Sequence, residues 1–272
     1  MIQVIGPPKG WPKIDFKDIW RHRELLYILI WRNIKVRYKQ TIVGIAWVVF
    51  QPLFNMVIFT IVFSKIAKIP SEGVPYSIFV FSGLIFWAYF NAALYGANMS
   101  LVEGQNILKK VYFPRLIIPF STTITPLVDF ILVFLVFLGL MAYFKVTPHL
   151  LGFILLPFLI FICFLSATGL GLFLASVNVR YRDVQYILGF VLQAMFYAVP
   201  IIYPLSVIPA AYHWLVYINP LTAPIVLLRS TLFKTSEPDW HLLAISFIVS
   251  AILFVVGLIY FGRSEKYFAD EL

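Results

Sequence analysis

Charge is what this chain has least of. Asp, Glu, Lys and Arg make up 12% of it, against about 25% in an ordinary soluble domain. The residue types AVILMFWYC make up 61%, a balance that excludes a conventional soluble fold. Cys163 is the lone cysteine, so no intrachain disulfide can form, and its place inside an apolar run reads as packing. His22, His149, His213 and His241 lack metal-ligand spacing, and no metal site is expected. No G-x-x-x-x-G-K-[ST] stretch occurs, so the chain has no phosphate-cradling loop for ATP of its own. No membrane segment holds two carboxylates, and Asp129 is the one acid well inside an apolar run. Enzyme signals are therefore nearly absent. The first ten residues hold two prolines and no apolar core, so no cleaved targeting segment is expected.

Long apolar runs are abundant. Crossing a bilayer takes about 20 residues of helix, and runs near 41–64, 76–101, 116–144, 150–177, 184–203 and 241–261 meet that length. They are continuous, whereas β-barrel strands are short and alternate. The fold class expected is an all-α integral membrane protein with six transmembrane helices, forming one transmembrane domain over 1–272. Within it, 1–40 is a cytoplasmic lead with an interfacial helix, 41–262 the six-span bundle and 263–272 a cytoplasmic tail. In the lead, Asp15 suits an N-cap. Phe16, Ile19, Trp20, Tyr27, Ile30, Trp31, Ile34 and Tyr38 then recur at helical spacing among basic residues, the pattern of an amphipathic helix lying in the membrane interface. Between spans five and six, Pro204, Pro209, Pro220, Pro224 and Pro238 cut the chain into pieces suited to two short re-entrant helices.

The net charge of +9 reads as membrane orientation, with no nucleic-acid partner expected. Six spans put all lysines and arginines except Lys65, Lys68, Lys145, Arg229 and Lys234 on the side of both termini. That asymmetry places both termini in the cytoplasm.

Four groups of residues are candidates for function. Asp129 is a functional hypothesis by its position, the other reading being a hydrogen bond between helices near Thr123 and Thr125 or to another chain. Trp47, Phe50 and Phe54 on the first span, and Phe190, Gln193 and Tyr197 on the fifth, recur at i, i+3, i+7. They are either packing and lipid-facing residues or a channel wall. A wall of rings suits sugars, whose C–H faces stack while conduction requires weak, repeated binding. The loop 103–115 sets Ile107, Leu108, Val111 and Tyr112 on one face and Lys109, Lys110 and Arg115 off it. Such a segment is either a short helix for a partner's groove or a solvated loop. Gly169 and Gly171 sit mid-span, where small residues permit close helix packing.

Several of these motifs together resemble polysaccharide-export ABC transporter permeases, which move O-antigen, capsule or teichoic-acid polymers. The segment 31–47, with Trp31, Arg37, Tyr38, Thr41, Gly44 and Trp47, followed by Gln51-Pro52-Leu53, is similar to that family's opening segment. Phe113-Pro114-Arg115-Leu116 leading to Pro119 is similar to its junction into the third span. Arg180-Tyr181-Arg182-Asp183 is similar to its second cytoplasmic loop, and Asn219-Pro220-Leu221 followed by Pro224 to its re-entrant segment. The resemblance covers about residues 15–262. It implies a homodimer in the inner membrane, working with two ABC ATPase subunits that use ATP and Mg, with no cofactor in this chain. It also implies a coupling segment at Glu103, Gln105, Ile107, Leu108, Lys109, Lys110, Val111 and Tyr112, and a channel lined by the first and fifth spans. The implied substrate is a polymer on a polyprenyl diphosphate lipid, and Arg32, Lys35, Arg37 and Lys39 are placed to attract the diphosphate at the inner face. A drug or lipid exporter of the same architecture is the alternative, with a closed, lipid-facing cavity expected. A membrane glycosyl or acyl transferase is a further one, and needs a His, Asp or Glu cluster that the sequence lacks.

Overall fold

The computed structural model describes residues 16–39, 44–109 and 113–268. The proline-rich lead with Asp15, the expected start of the first span at Thr41, the loop residues Lys110, Val111 and Tyr112, and the last four residues lie outside the described residues. Among the described residues every regular element is helical.

The lead folds as α1 (Phe16–Arg21) and α2 (Arg23–Lys39). His22 separates them, its ring 2.8 Å from the Asp18 carbonyl. Ile19, Leu25, Leu26 and the buried Leu29 pack on Phe113, Ile117 and Ile118, while Trp20, Tyr27 and Trp31 are exposed. Ile19, Leu25, Leu26 and Leu29 therefore face the protein while Trp20, Tyr27 and Trp31 face away. The expected stripe, which joins Ile19 to the aromatics, is split between these two faces.

The first long helix, α3 (Gly44–Phe59), continues as a π-helical stretch, Thr60–Ile66. Next come α4 (Tyr76–Glu103), the one-turn α5 (Gln105–Leu108), and α6 (Ile117–Ile124) continued by α7 (Pro126–Tyr143). Pro126 has no N–H to donate, which is why the expected third span carries a break there. The longest helix is α8 (Leu150–Arg180), followed by α9 (Val184–Ala198), α10 (His213–Ile218), α11 (Thr222–Phe233) and α12 (Trp240–Ser264).

Among the described residues, five stretches are long and apolar enough to cross a bilayer: Ala46–Ile66, Tyr76–Glu103, Ile117–Tyr143, Leu150–Arg180 and Trp240–Tyr267. The chain is thus a multi-pass membrane protein. The expected fifth span is shorter than its apolar run. Helix α9 has 15 residues, roughly 22 Å of helix, and stops before Val199. Val199 precedes Pro200, whose ring disfavours a helical residue before it, and it is extended at φ −89°, ψ 142°. The α10 and α11 arms meet at 109°. The bend falls at Asn219, which also precedes a proline; its Oδ1 accepts from the Leu221 N–H at 3.0 Å.

Helix α4 is the centre of the bundle. It is apolar all round, and such a helix must be enclosed; Phe79, Phe81, Phe86, Tyr89 and Phe90 are each at most 2% exposed. Helix α8 reaches both α4 and α12 through its glycines. A Cβ on Gly171 would stand 2.4 Å from that of Ala97, and one on Gly257 would stand 2.1 Å from the Gly169 carbonyl oxygen. Gly169 and Gly171 are therefore close-packing positions, as their place in the sequence suggests.

Candidate functional site

A groove of about 660 Å³ opens between α3, α4, α7 and α9. Each of three helices sends a polar i, i+4 pair to its wall: Gln51 and Asn55 from α3, Asn91 and Tyr95 from α4, Gln193 and Tyr197 from α9. Residues four apart share one helix face, so each pair points the same way. Rings supply much of the remaining wall. Phe196 lies 5.6 Å from Phe59 and 5.3 Å from Trp87, the latter edge-on. The wall thus mixes amide and phenol groups with aromatic rings and with aliphatic side chains such as Val48, Leu84, Ile85, Val133 and Leu192.

The aromatic positions singled out in the sequence divide. Gln193 and Tyr197 line the groove. Trp47, Phe50 and Phe54 form an exposed ladder on another face of α3, with ring centroids 5.7 and 5.6 Å apart, and Phe190 is exposed beyond the groove. Sequence reasoning misses Gln51, Asn55, Asn91 and Tyr95. Their signal is there, as polar pairs at i, i+4 inside apolar runs, but the aromatics overshadow it.

Asp129 stands in the wall at the end nearest the lead helix, together with Arg37. Arg37 Nη1 is 2.7 Å from Asp129 Oδ2, and the Tyr38 hydroxyl donates to Oδ1. Consecutive residues of α2 thereby grip both oxygens of one carboxylate on α7. Burial, with the hydrogen bond to Asp129 second, pushes the Tyr38 phenol well above its ordinary value, so it stays a donor. The expected neighbours Thr123 and Thr125 are not the partners: their hydroxyls donate to the carbonyls of Phe120 and Ser121. No sequence pattern links Asp129 to residues about ninety positions away.

The other lead-helix cations are exposed. Arg32 donates to Asn33 Oδ1 at 3.2 Å, and the Lys35 ammonium lies 5.3 Å from the Trp31 ring centre. Lys39 ends the helix.

In the loop after α4, Glu103, Asn106 and Lys109 are exposed and Gln105 is half-buried. Ile107 and Leu108, expected to face a partner, pack instead on this chain's own cluster around Phe113, Ile117 and Ile118. Behind them sits a brace from the C-terminal end. Phe268, 1% exposed, packs among Leu101, Leu116, Leu172, Val179 and Phe261, with Ile19 and Leu108 alongside. Arg115 donates to the Glu265 carbonyl at 2.7 Å.

Arg229, which charge counting places on the side away from the termini, is 3% exposed. Nε donates to Ser82 Oγ at 3.0 Å, Nη1 to the Pro200 carbonyl at 2.7 Å, and Nη2 to the carbonyls of Phe79 at 3.0 Å and Ile201 at 2.8 Å. Its guanidinium also lies 3.6 Å from the Phe79 ring centre. Pro200 and Ile201 follow the end of α9, where carbonyls have no helical partner, and at membrane depth such groups must be satisfied internally.

Residues 24–233 match the family described as ABC-2 type transporter. A protein of Klebsiella pneumoniae named O-antigen export system permease protein RfbA is 27% identical over 249 residues, 92% of this chain and 95% of that one. A protein of the same name from Myxococcus xanthus is 28% identical over 261 residues, 94% of this chain and 98% of its own.

Proposed function

The chain belongs to the ABC-2 type transporter family, and from that premise we propose that it is the channel-forming membrane subunit of an ATP-driven exporter for a lipid-linked polysaccharide. O-antigen, capsule and teichoic-acid polymers are the substrate class. The family is one of transport permeases, and the hydrolysis of ATP with Mg belongs to an ABC ATPase partner present in two copies. The observation that carries the polysaccharide reading is the groove. Amide and phenol groups exchange hydrogen bonds with hydroxyls while rings offer faces to sugar C–H surfaces, and no single point binds tightly. The relatives named for O-antigen export support the same reading. A drug or lipid exporter would be served by a closed, apolar cavity.

In this reading α9 is the fifth crossing and α10–α11 a re-entrant pair at the outer mouth. Contacts support it. The residues after α9 meet the start of α4, with Tyr76 donating to the Ile202 carbonyl at 2.7 Å. The end of α11 meets the start of α8, where the His149 N–H donates to the Leu232 carbonyl at 2.9 Å. The α10 residue Tyr217 donates to Asp239 at the start of α12 at 2.7 Å. All three contacts belong at one end of the bundle. Both termini are then cytoplasmic, and the lead helix lies at the inner interface. There Arg32, Lys35, Arg37 and Lys39 draw in the diphosphate lipid, and the ATPase docks on the exposed side of Glu103–Lys109. The ladder of Trp47, Phe50 and Phe54 faces a second copy of the chain across the channel.

The test is reconstitution with the ATPase and measurement of ATP-dependent movement of a lipid-linked glycan into vesicles. Movement that stops when the 103–109 segment is altered supports the whole scheme. A stable complex that hydrolyses ATP yet moves only small hydrophobic molecules would overturn the polysaccharide assignment.

A further inference from the structure

Among the described residues, Arg37 is the one lead-helix cation that lines the groove, and it is paired there with Asp129. The two partners are unequally reachable. The carboxylate side chain is 14% exposed and the guanidinium side chain 40%. An anion arriving in the groove therefore meets the arginine first, with the aspartate behind it. From this geometry we infer that the Arg37–Asp129 pair is an exchangeable anion site: a phosphate or diphosphate group takes the guanidinium from Asp129, and Asp129 takes it back when the anion leaves.

Three physical points support the exchange. A guanidinium binds phosphate oxygens with two parallel hydrogen bonds, and a phosphate or diphosphate carries more charge than one carboxylate, so it competes effectively. The carboxylate is not stranded, because the Tyr38 hydroxyl still donates to its other oxygen; an unpaired buried carboxylate would otherwise make release costly. In the resting state the pair is neutral, so the groove wall does not hold uncharged sugars by a fixed charge. The site is selective in time as well as in kind: it binds the charged head of a substrate and then restores a neutral wall for the uncharged remainder. Because Arg37 sits on α2 and Asp129 on α7, the exchange also loosens a tie between the lead helix and the third span.

The direction of traffic rests on the export reading above, but the binding chemistry does not, and the test separates them. The full chain with its partner subunits is placed in nanodiscs of neutral phosphatidylcholine, and farnesyl diphosphate binding is titrated. D129N keeps hydrogen-bond acceptance and removes the competing charge. It is expected to tighten binding about tenfold, the scale of one such ion pair. R37Q is expected to weaken binding about tenfold, and R37Q/D129N to bind no better than R37Q. D129N binding that is unchanged or weaker, or a double variant tighter than R37Q, overturns the inference. If D129N fails to assemble, R37Q and Y38F carry the test. Y38F takes away the donor that keeps the released carboxylate satisfied and should weaken binding about threefold; no change in either variant overturns the exchange.

Inorganic pyrophosphate and phosphatidylglycerol nanodiscs distinguish sources. Competition by pyrophosphate through Arg37 assigns the site to the phosphate group itself. Loss of the Arg37 dependence in phosphatidylglycerol assigns it to bulk lipid headgroups of the same chemistry. A chain that binds farnesyl diphosphate through Arg37 yet moves no glycan keeps this site and loses the export reading. Export without Arg37-dependent binding does the reverse.

Discussion

Arg229 and Arg37 are both arginines committed to partners on other helices, and they are held in different ways. Arg229 is 3% exposed, and its hydrogen-bond acceptors are uncharged: three backbone carbonyls and a serine hydroxyl. Arg37 has a side chain 40% exposed and is held by a carboxylate. A buried guanidinium that closes three backbone carbonyls, two of them in the irregular stretch after α9, is a fixed structural part. A guanidinium paired with an acid beside an open groove can trade that acid for another anion. Burial and partner type, more than residue type, separate structural cation from working cation.

The difference can be broken most sharply at Arg229. R229A leaves the Pro200, Ile201 and Ser82 acceptors without this donor, each worth about 1–3 kcal/mol when buried. A loss of at least about 3 kcal/mol of stability is expected, read as a lower thermal midpoint and poor yield in detergent; a variant as stable as the parent would make Arg229 dispensable. G83A is the next largest. Its new Cβ would lie 2.9 Å from Arg229 Nη2 and 3.2 Å from the Ile201 backbone. About 1–3 kcal/mol of overpacking is expected, and an unaffected midpoint would show that the guanidinium is not fixed in place. F268A, in the cluster with Leu101, Leu172 and Phe261, should cost on the order of 3 kcal/mol while sparing the groove, as judged by the thermal midpoint against farnesyl diphosphate binding.

Smaller effects sharpen the other side. Q193A is expected to lower glycan export about fivefold, for a lost hydrogen bond near 1 kcal/mol, with the thermal midpoint unchanged. An equal loss of stability and export would move Gln193 from the groove's function to its scaffold. Least of all, D129N should change stability by no more than about 1 kcal/mol, because its arginine partner is substantially exposed. A loss as large as that of R229A would erase the contrast between the two cations.

Much of the fold is legible in the residues alone. Composition and run length set the helical membrane class and the places of α4, α8 and α12, because a bilayer admits few backbone solutions. Gly169 and Gly171 announce close packing for the same reason. The ends of helices are harder to read. The run 184–203 is apolar apart from Gln185 and Gln193, but Pro200 acts on the backbone of Val199 and stops α9 at Ala198. Hydropathy does not register that effect. The aromatic positions of α3 and α9 are visible as patterns, yet which face meets the groove is not. Trp47, Phe50 and Phe54 share one face of α3 while Gln51 and Asn55 share another, and only the neighbouring helices decide between them.

What the sequence determined by itself was the solvent this chain lives in and the elements it builds there. Both follow from summed hydrophobicity and local backbone rules, which act over a few turns of helix. Tertiary structure alone decided how the charges are used. Arg229 lies about 150 residues from Phe79 in the chain and Asp129 about 90 from Arg37 and Tyr38. No local rule reaches that far, so whether a charge is buried, paired or left facing a groove is settled only when the helices close around it.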